Sequence, residues 1–357
     1  MKPQHTHKMD QTVLVTGGAG FIGSHTVLEL LQAGFDVIVL DNFLNSDPSV
    51  LARIKRLAQE PLSLGLSFKH FEMDVRDEAG LIEVFKAHRI AGVIHFAGLK
   101  AVAESFEQPL AYWDTNVGGT MALARVMKRF DVNHLVFSSS ALVYGLPKLI
   151  PIQENSELDA VNPYGRTKLI CEKFLTDVCF ADSRFNVALL RYFNPVGAHS
   201  SGLLGESPNG IPNNLMPLVC QVASGERAQL SIFGDDYDTA DGTCIRDYIH
   251  VMDLAQGHVL TLKSMLGLLS LPALSRLSVL NFGTGQGVSV KELVDCFEAV
   301  NRVKVPHSIA PRRDGDVPIL VANPNKAFES LGWKANRNLI SMCQDAWRWQ
   351  QQNGLHL

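Results

Sequence analysis

The apolar residues in the first half of the chain fall into short continuous runs, separated by stretches of helical composition. The first run, residues 12–15, has the length and β-branched content of a strand buried on both faces. A glycine-rich turn follows, and then a predicted helix at residues 24–32 that ends at Gly34. Further strands are predicted at residues 36–40, 68–73, 93–98 (with a terminal glycine turn), 135–140 and 187–192, and further helices at 112–129 and 164–180.

Strands that alternate with helices predict a parallel, doubly wound α/β sheet. The second half is richer in Pro, Gly and Asn, as expected of a lobe whose binding surface is built from loops. We therefore expect residues 1–193 to form the sheet domain, with residues 1–10 as a frayed tail. Residues 194–357 are expected to form a smaller mixed α/β lobe, from which some segments return to the first domain.

Composition narrows the class of protein. With 357 residues, 46% of them hydrophobic and 19% charged, the chain suits a well-packed globular protein. A formal charge of −4 argues against a nucleic-acid surface, and no apolar run reaches the roughly 20 residues of a membrane span. The polar start, residues 1–9, lacks the apolar core of a signal peptide. Six cysteines without a Cys-x-x-Cys pair favour free thiols in a reducing cytoplasm over disulfides or a metal site.

The glycine-rich turn after the first strand reads Thr16-Gly17-Gly18-Ala19-Gly20-Phe21-Ile22-Gly23. Its glycines allow a tight turn, close approach of a pyrophosphate, and close packing of the helix on the strand. The N-terminus of the following helix offers unpaired N–H groups to phosphate. This strand–turn–helix context predicts a dinucleotide site.

Two acidic residues at strand ends extend this prediction. Asp41 follows the second strand, at about the distance past the glycines where a carboxylate binds the adenosine ribose. It would repel a 2′-phosphate, so NAD is favoured over NADP. Asp74 follows the third strand and is placed to meet the adenine amino group.

Tyr164 and Lys168 stand four residues apart at the start of a predicted helix, so they share one face. Asn162 suits the N-cap and Pro163 the first turn. A free phenol has a pKa of about 10, and a nearby ammonium favours the phenolate. The pair is therefore a candidate proton acceptor for an alcohol that is being oxidised. The glycine loop, Asp41, Gly98, Ser140 and Tyr164 all fall at or after strand ends, on the edge where such sheets bind ligands.

Polar and aromatic residues of the second half suit a nucleotide ligand. Asparagine side chains can read a uracil edge and a ribose. Phe233 is placed to pack against a base, and Arg246 and Arg313 to clamp a diphosphate bidentately. An arginine taken alone is more often a surface or structural residue than a ligand-binding one.

The order strand, Thr-Gly-Gly-x-Gly-x-x-Gly, Asp, Ser-Ser-Ser and Tyr-x-x-x-Lys resembles the extended short-chain dehydrogenase/reductase family. The second half narrows the resemblance. Residues 191–198, 210–217, 230–234, 242–255, 281–285 and 310–316 are similar to segments of the UDP-glucose 4-epimerase family, and the likeness runs from about residue 12 to residue 349. The resemblance implies a homodimer with tightly held NAD, a Rossmann domain and a smaller lobe for a UDP-hexose.

Residue roles implied by the resemblance cover both ligands. The catalytic residues would be Ser140, Tyr164 and Lys168. The NAD contacts would be Gly17, Gly20, Phe21, Ile22, Gly23, Asp41, Asn42, Asn45, Ser46, Asp74, Val75, Phe96, Ala97, Gly98, Lys100, Asn116, Ser138, Tyr164, Lys168 and Phe193. The substrate contacts would be Lys100, Ser140, Tyr164, Asn194, Asn214, Leu215, Ser231, Phe233, Arg246, Arg313, Asp316 and Leu320.

The implied reaction is reversible inversion at C4 of UDP-glucose and UDP-galactose, through a 4-keto intermediate with transient reduction of NAD. One alternative is a nucleotide-sugar 4,6-dehydratase, which needs an acid and a base after the serine or threonine. Ala141 and Leu142 stand there instead and argue for the epimerase. Another alternative is a non-catalytic NAD-binding sensor, which would be expected to lose the tyrosine or the lysine.

Two further expectations concern specificity and assembly. In the family, a tyrosine soon after the Arg-Arg-x-Gly-Asp segment restricts the site to glucose and galactose. Leu320 stands at that position here, so UDP-N-acetylhexoses are also expected to enter.

The family dimer pairs the helices at 112–129 and 164–180. Five apolar residues on these helices suit either that contact or the core, namely Met121, Leu123, Val126, Leu169 and Phe174.

Overall fold

The computed structural model describes residues 11–210, 212–313 and 316–354, so the predicted tail at residues 1–10 lies outside the described part. The strands are β1 (Thr12–Thr16), β2 (Asp36–Asp41), β3 (Phe68–Glu72), β4 (Ile90–His95), β5 (His134–Ser138), β6 (Asn186–Tyr192), β7 (Asn194–Val196), β8 (Leu230–Phe233), β9 (Ile245–Arg246), β10 (Tyr248–His250), β11 (Leu277–Phe282), β12 (Val288–Ser289), β13 (His307–Ala310) and β14 (Ile319–Leu320).

The α-helices are α1 (Phe21–Gln32), α2 (Ser49–Leu57), α3 (Gln59–Ser63), α4 (Glu78–Ala87), α5 (Val102–Glu107), α6 (Pro109–Tyr112), α7 (Gly119–Arg129), α8 (Pro163–Ala181), α9 (Leu215–Ala223), α10 (Val251–Met265), α11 (Val290–Asn301), α12 (Asn325–Leu331) and α13 (Leu339–Asn353). A π-helical turn (Trp113–Gly118) joins α6 to α7, and a 3-10 helix (Ala141–Tyr144) follows β5.

A seven-stranded sheet in the order β11-β6-β5-β4-β1-β2-β3 forms the centre of the fold. Every neighbouring pair in it is parallel. The predicted doubly wound α/β fold is confirmed, and all six predicted strands are present with shifted ends. Parallel strands of this kind need both faces covered, which explains their continuous apolar runs.

Helices cover the two faces of this sheet with separate apolar cores. On one face, α1 and α10 pack with Val27, Leu28, Leu254 and Leu262 against the strands. On the other face lie residues of α4, α7 and α8, among them Leu81, Leu123, Val126 and Leu175. The sheet therefore holds α8, which carries Tyr164, on the same face as α7.

The seventh strand comes from the second half of the chain. β11 pairs with β6 from Leu277 opposite Val187 to Phe282 opposite Tyr192. Its helical neighbours α10 and α12 also pack on the first core, through Leu254 and Leu331. Local pattern did not identify residues 277–282 as a strand of this sheet, because the pairing joins segments far apart in sequence. The boundary between residues 193 and 194 stays a prediction.

The helix predicted at residues 112–129 is not one continuous α-helix, which corrects that prediction. Helical structure begins at Pro109, and a π-helical turn at Trp113–Gly118 interrupts it. Within this turn the side chain of Asn116 accepts from the Leu99 backbone N–H at 2.8 Å and donates to the Leu99 carbonyl at 3.0 Å. Such single π-helical turns are frequent at functional sites, and this one ties the helix to the loop after β4. The first helix likewise starts at Phe21 rather than at residue 24.

The remaining strands build a smaller lobe on short pairings. β8 pairs in parallel with β13, and β9 lies between β12 and β14. A third apolar core, with Met216, Val219, Leu293 and Phe297, joins α9, α11 and α13. Within the described ranges, no helix is long and apolar enough to cross a membrane, and all six cysteines are free thiols.

Candidate active site

One cavity of about 1010 Å³ runs along the carboxyl edge of the large sheet and into the smaller lobe. Most residues predicted for the site line it. From the glycine-loop side these are Gly17, Gly20, Phe21, Ile22, Gly23, Asp41, Asn42, Asn45, Ser46, Asp74, Val75, Phe96, Ala97, Gly98 and Lys100; towards the lobe they are Ser138, Ser140, Tyr164, Lys168, Phe193, Asn194, Asn214, Arg246, Arg313, Asp316 and Leu320. The structure thus brings together residues that span nearly the whole sequence.

The glycine loop packs tightly against neighbouring backbone, which only glycine permits at two of its positions. Gly17 has a φ of +68°, and a Cβ there would lie 2.6 Å from the backbone nitrogen of Ala97. A Cβ on Gly23 would lie 2.1 Å from the carbonyl oxygen of Gly17. Gly20, the N-cap of α1, leaves more room, since its Cβ would meet only the Gly17 carbonyl, at 3.3 Å. The residues present fit a dinucleotide whose pyrophosphate rests on the N-terminus of α1.

Asp41 is held rigidly at the end of β2. Its Oδ2 accepts from the backbone N–H of Ala19 at 2.9 Å, and its Oδ1 accepts from Phe43 N–H at 2.9 Å and Ser46 Oγ at 3.0 Å. Oδ2, which accepts only one of these bonds, retains acceptor capacity for a ribose hydroxyl. Nearby, Arg76 holds the pKa of Asp74 at about 2, with help from its backbone N–H and from Asn42.

The tyrosine–lysine pair lies at the start of α8, as predicted. Asn162 caps this helix, because its Oδ1 accepts from the Gly165 backbone N–H at 2.8 Å. Tyr164 and Lys168 are buried and line the cavity. The Ser140 hydroxyl, two residues beyond the end of β5, lies close enough to the Tyr164 phenol to lower its pKa. The three predicted catalytic residues therefore meet at one point of the cavity wall.

Burial reverses the expected direction of the tyrosine shift in this structure. It raises the pKa of Tyr164 to about 12, and the nearby Ser140 hydroxyl offsets only part of that rise. Lys168 does not contribute, since its Nζ donates to the Ser138 carbonyl at 2.8 Å. Burial also lowers the pKa of Lys168 to about 8. The expectation that the nearby ammonium lowers the phenol pKa is therefore not met in this structure.

The lobe end of the cavity carries unpaired or charged polar groups. Asn194 Oδ1 is buried without a hydrogen-bond partner among the described residues. Asp316 holds both arginines, with Arg246 Nη2 at 3.5 Å from Oδ1 and Arg313 Nε at 3.1 Å from Oδ2. Leu320 closes the wall beside them and is buried. This end therefore offers a buried acceptor and two guanidinium groups.

Four residues predicted for the site do not line the cavity. Asn116 lies behind it and donates to Thr167 Oγ1 at 2.9 Å. Leu215 begins α9 and packs against the lobe core. Ser231 is exposed on β8. Phe233 reaches the site indirectly, because the Arg313 guanidinium lies 4.6 Å from its ring centre.

Other residues line the cavity that sequence reasoning did not single out. Arg53 of α2 lies over the ring of Trp349 at 5.1 Å and donates to Asn353 Oδ1 at 2.7 Å. Glu206 lies opposite Lys100, with Nζ to Oε1 at 2.9 Å. These contacts join segments far apart in the chain, so no local sequence motif predicts them.

The shared cleft defines the class of protein. A dinucleotide cradle at one end and a buried tyrosine, serine and lysine beside it form the arrangement expected of the extended short-chain dehydrogenase/reductases. No group of His, Cys, Asp or Glu within residues 11–210, 212–313 and 316–354 could hold a metal ion.

Comparison with known proteins identifies the family. The family model described as GDP-mannose 4,6 dehydratase matches residues 14–346. The UDP-glucose 4-epimerase of Bacillus subtilis (strain 168) is 51% identical over 341 residues, covering 96% of this chain and 97% of that protein. The solved UDP-glucose 4-epimerase of Bifidobacterium longum, in complex with NAD+ and UDP, superposes with a TM-score of 0.90 at 48% identity and covers 96% of this chain and 99% of its own. The Stenotrophomonas maltophila UDP-glucose-4-epimerase, with bound NAD and formylated UDP-arabinopyranose, also gives 0.90, at 46% identity, covering 96% and 98%. The chain belongs to the UDP-glucose 4-epimerase family, and the predicted resemblance is confirmed.

Proposed function

We propose that this protein is an NAD-dependent epimerase that interconverts UDP-glucose and UDP-galactose at C4. The observation that carries the proposal is the cavity in which Tyr164, with Ser140 beside it, lies between the glycine loop and the two arginines. Solved relatives hold NAD and a uridine nucleotide.

The glycine loop and the strand ends would hold the cofactor. Gly17 and Gly20 line the cavity at the N-terminus of α1, where they would receive its pyrophosphate, and Asp41 would bind the adenosine ribose. NAD, when bound, supplies a reversible two-electron acceptor for C4 of the hexose. Lys168 lies one helical turn from Tyr164 and would bind the second ribose of the cofactor.

Tyr164 would accept the proton of the sugar 4-hydroxyl, directly or through Ser140. Oxidation of C4 turns the hydroxyl carbon into a ketone, and the same phenol returns the proton when the opposite face is reduced. The high pKa that burial gives Tyr164 must therefore fall when the ligands bind. A cation placed beside the phenol lowers such a pKa, and Lys168 is the residue on this chain that is positioned to supply it.

The lobe would anchor the nucleotide and leave the hexose free to turn. Arg246 and Arg313 carry fixed charge suited to a diphosphate. The Asp316 carboxylate forms an ion pair with each of them and so holds both guanidinium groups in place. Asn194 presents an unpaired buried acceptor for a donor on the ligand. An anchored diphosphate allows the 4-keto sugar to present either face to the cofactor without leaving the site.

Leu320 would decide which sugars enter. It is buried in the cavity wall and packs in a cluster with Ala141, Val143 and Phe193. Leucine has less bulk than tyrosine, so we extend the proposed substrates to UDP-N-acetylglucosamine and UDP-N-acetylgalactosamine.

We also propose a homodimer through the outer helices. Exposed apolar side chains lie on α6, the π-helical turn, α7 and α8, namely Leu110, Trp113, Met121, Ile170 and Phe180. Of the residues expected to suit either this contact or the core, Leu123 and Val126 lie in the core between α7 and the sheet. Ile170→Glu would place a charge on the exposed face, and light scattering should then show the mass of one chain instead of two.

The test of the activity uses purified protein and UDP-galactose with no added NAD. We expect conversion to UDP-glucose, resolved by chromatography, and slower or comparable conversion of UDP-N-acetylgalactosamine. A dehydrated 6-deoxy keto sugar would instead support the dehydratase. Bound NAD without any conversion would support the sensor.

A further inference from the structure

Glu206 links the two sides of the cavity through one carboxylate oxygen. Its Oε1 accepts from Lys100 Nζ at 2.9 Å and from Asn214 Nδ2 at 2.5 Å. Lys100 stands in the loop between β4 and α5, whereas Asn214 is the N-cap residue of α9. All three residues line the cavity. The contact therefore joins the cofactor edge of the sheet to the substrate lobe.

This pair differs from an ordinary surface ion pair. The side chain of Glu206 is only 8% exposed, while that of Lys100 is 43% exposed. The main chain of Glu206 is also fixed, because its carbonyl accepts from Trp349 Nε1 at 3.1 Å. The preceding residue must be glycine, since a Cβ on Gly205 would lie 2.3 Å from the Trp349 ring. The helix α13 thus holds the carboxylate at a set position in the cleft.

The carboxylate fixes both of its partners. Asn214 donates from Nδ2 to Glu206, which leaves its Oδ1 as an acceptor for a ligand. Lys100 has a flexible stem and a point charge, and the ion pair holds that charge in one place. Groups that are ordered before binding add affinity, because the ligand does not have to order them.

We propose that Glu206 is a positioning residue of the UDP-sugar site, which holds Lys100 and Asn214 in the geometry that binds the substrate. This inference rests on the proposed function. It assigns Glu206 to ligand binding and not to proton transfer, since the recorded contacts of its carboxylate are to Lys100 and Asn214.

The first test compares Glu206→Ala with the wild type, both carrying NAD. We expect the Kd of UDP, measured by calorimetry, and the KM of UDP-galactose to rise about tenfold, a factor that corresponds to about 1.4 kcal/mol. The value of kcat and the NAD content should stay within about twofold, because the carboxylate does not contact Tyr164. Glu157→Gln is the matched control, since Glu157 pairs with Lys148 at 2.7 Å on the surface, and it should change none of these values.

The second test exchanges the carboxylate and the amide. Asn214→Asp places two carboxylates against each other and should weaken UDP binding. The double variant Asn214→Asp with Glu206→Gln again has one amide donor facing one carboxylate acceptor, and its net charge equals that of the wild type. It should therefore recover most of the lost affinity for UDP.

The outcomes separate this inference from the proposed function. If the wild type neither binds UDP nor converts UDP-galactose, the proposed function is wrong, and the positioning role of Glu206, which rests on it, is wrong as well. If the wild type does both while Glu206→Ala leaves Kd and KM within twofold, or the exchanged pair shows no recovery, the Glu206 proposal alone is overturned.

Discussion

Arg191 of β6 and Glu172 of α8 form a buried ion pair, with Nη2 and Oε2 2.6 Å apart and both side chains 4% exposed. Glu172 also accepts from the hydroxyl of Ser139, the residue before Ser140. Arg191 donates further to the Tyr144 hydroxyl at 3.1 Å and to the Glu154 carbonyl at 3.0 Å. This network fastens the helix of Tyr164 and Lys168 to the strand that leads to Ser140.

Removing one partner of this pair should destabilise the fold. Arg191→Met leaves the Glu172 carboxylate buried without its cation, which costs about 3–5 kcal/mol in typical cases. Urea unfolding should show that loss, and Arg191→Met with Glu172→Met should show less. Arg184→Met removes exposed ion pairs to Asp131 and Asp182 and should cost much less. Equal losses for Arg191→Met and Arg184→Met would contradict the structural role given to the buried pair.

Tyr164→Phe should abolish most turnover and leave the fold intact. General acid–base groups contribute about 10²- to 10⁴-fold, so kcat should fall by at least a factor of about 100 while bound NAD is retained. Tyr237→Phe is the control, because its hydroxyl is buried without a partner among the described residues and lies outside the cavity. Turnover that survives in Tyr164→Phe would remove this phenol from the proton step.

Leu320→Tyr should narrow the sugar range. The added ring would fill space beside the hexose, so turnover of UDP-N-acetylgalactosamine should fall at least about tenfold relative to UDP-galactose, as loss of about 1.4 kcal/mol would produce. The ratio of kcat/KM for the two substrates measures this directly. An unchanged ratio would mean that Leu320 does not border the C2 substituent.

Three buried histidines should make the protein unstable in mild acid. Burial lowers the pKa of His25 and His95 to about 3 and that of His258 to about 4. An unfolded histidine has a pKa of about 6.5, so below that pH the unfolded chain binds more protons. The contribution of these histidines to the free energy of unfolding is therefore fully present above about pH 6.5. It falls as the pH drops towards 4, by up to about 1.4 kcal/mol per pH unit for each histidine.

His258→Phe tests this pH dependence. The His258 ring packs against Phe96 and Phe282, and its Nε2 has no partner among the described residues, so a phenyl ring suits the site. The slope of unfolding free energy against pH between 6 and 4.5 should fall by up to about 1.4 kcal/mol per pH unit. His70→Gln, at an exposed position, should leave the slope unchanged. A slope that His258→Phe does not alter would assign the acid instability to other groups.

Local sequence predicted the parts of the site that adjoin strand ends. The glycine loop, Asp41, Ser140 and Tyr164 follow apolar runs directly, and parallel strands must bring such ends to one edge. Residues 277–282 gave no comparable signal, because their place beside β6 depends on a pairing about ninety positions away in the chain. Glu206 was missed for the same reason, since its partners Lys100 and Asn214 converge only in the folded chain.

The electrostatic prediction failed for a different reason. Helical spacing placed Lys168 near Tyr164, but the extent of burial and the direction of the ammonium depend on packing. The ammonium donates to the Ser138 carbonyl, and burial raises the tyrosine pKa. Spacing predicts which groups share a face, whereas pKa values require the surrounding dielectric and hydrogen bonds.

The most direct test of the epimerase proposal follows the hydrogen on C4. UDP-galactose carrying deuterium at C4 is incubated with the protein, without added NAD, and the nucleotide sugars are examined by mass spectrometry and NMR. The account predicts UDP-glucose with the deuterium still on C4, because the hydrogen removed from that carbon returns to it on the opposite face. Loss of the deuterium to solvent, or its appearance at C6 of a dehydrated sugar, would contradict the account.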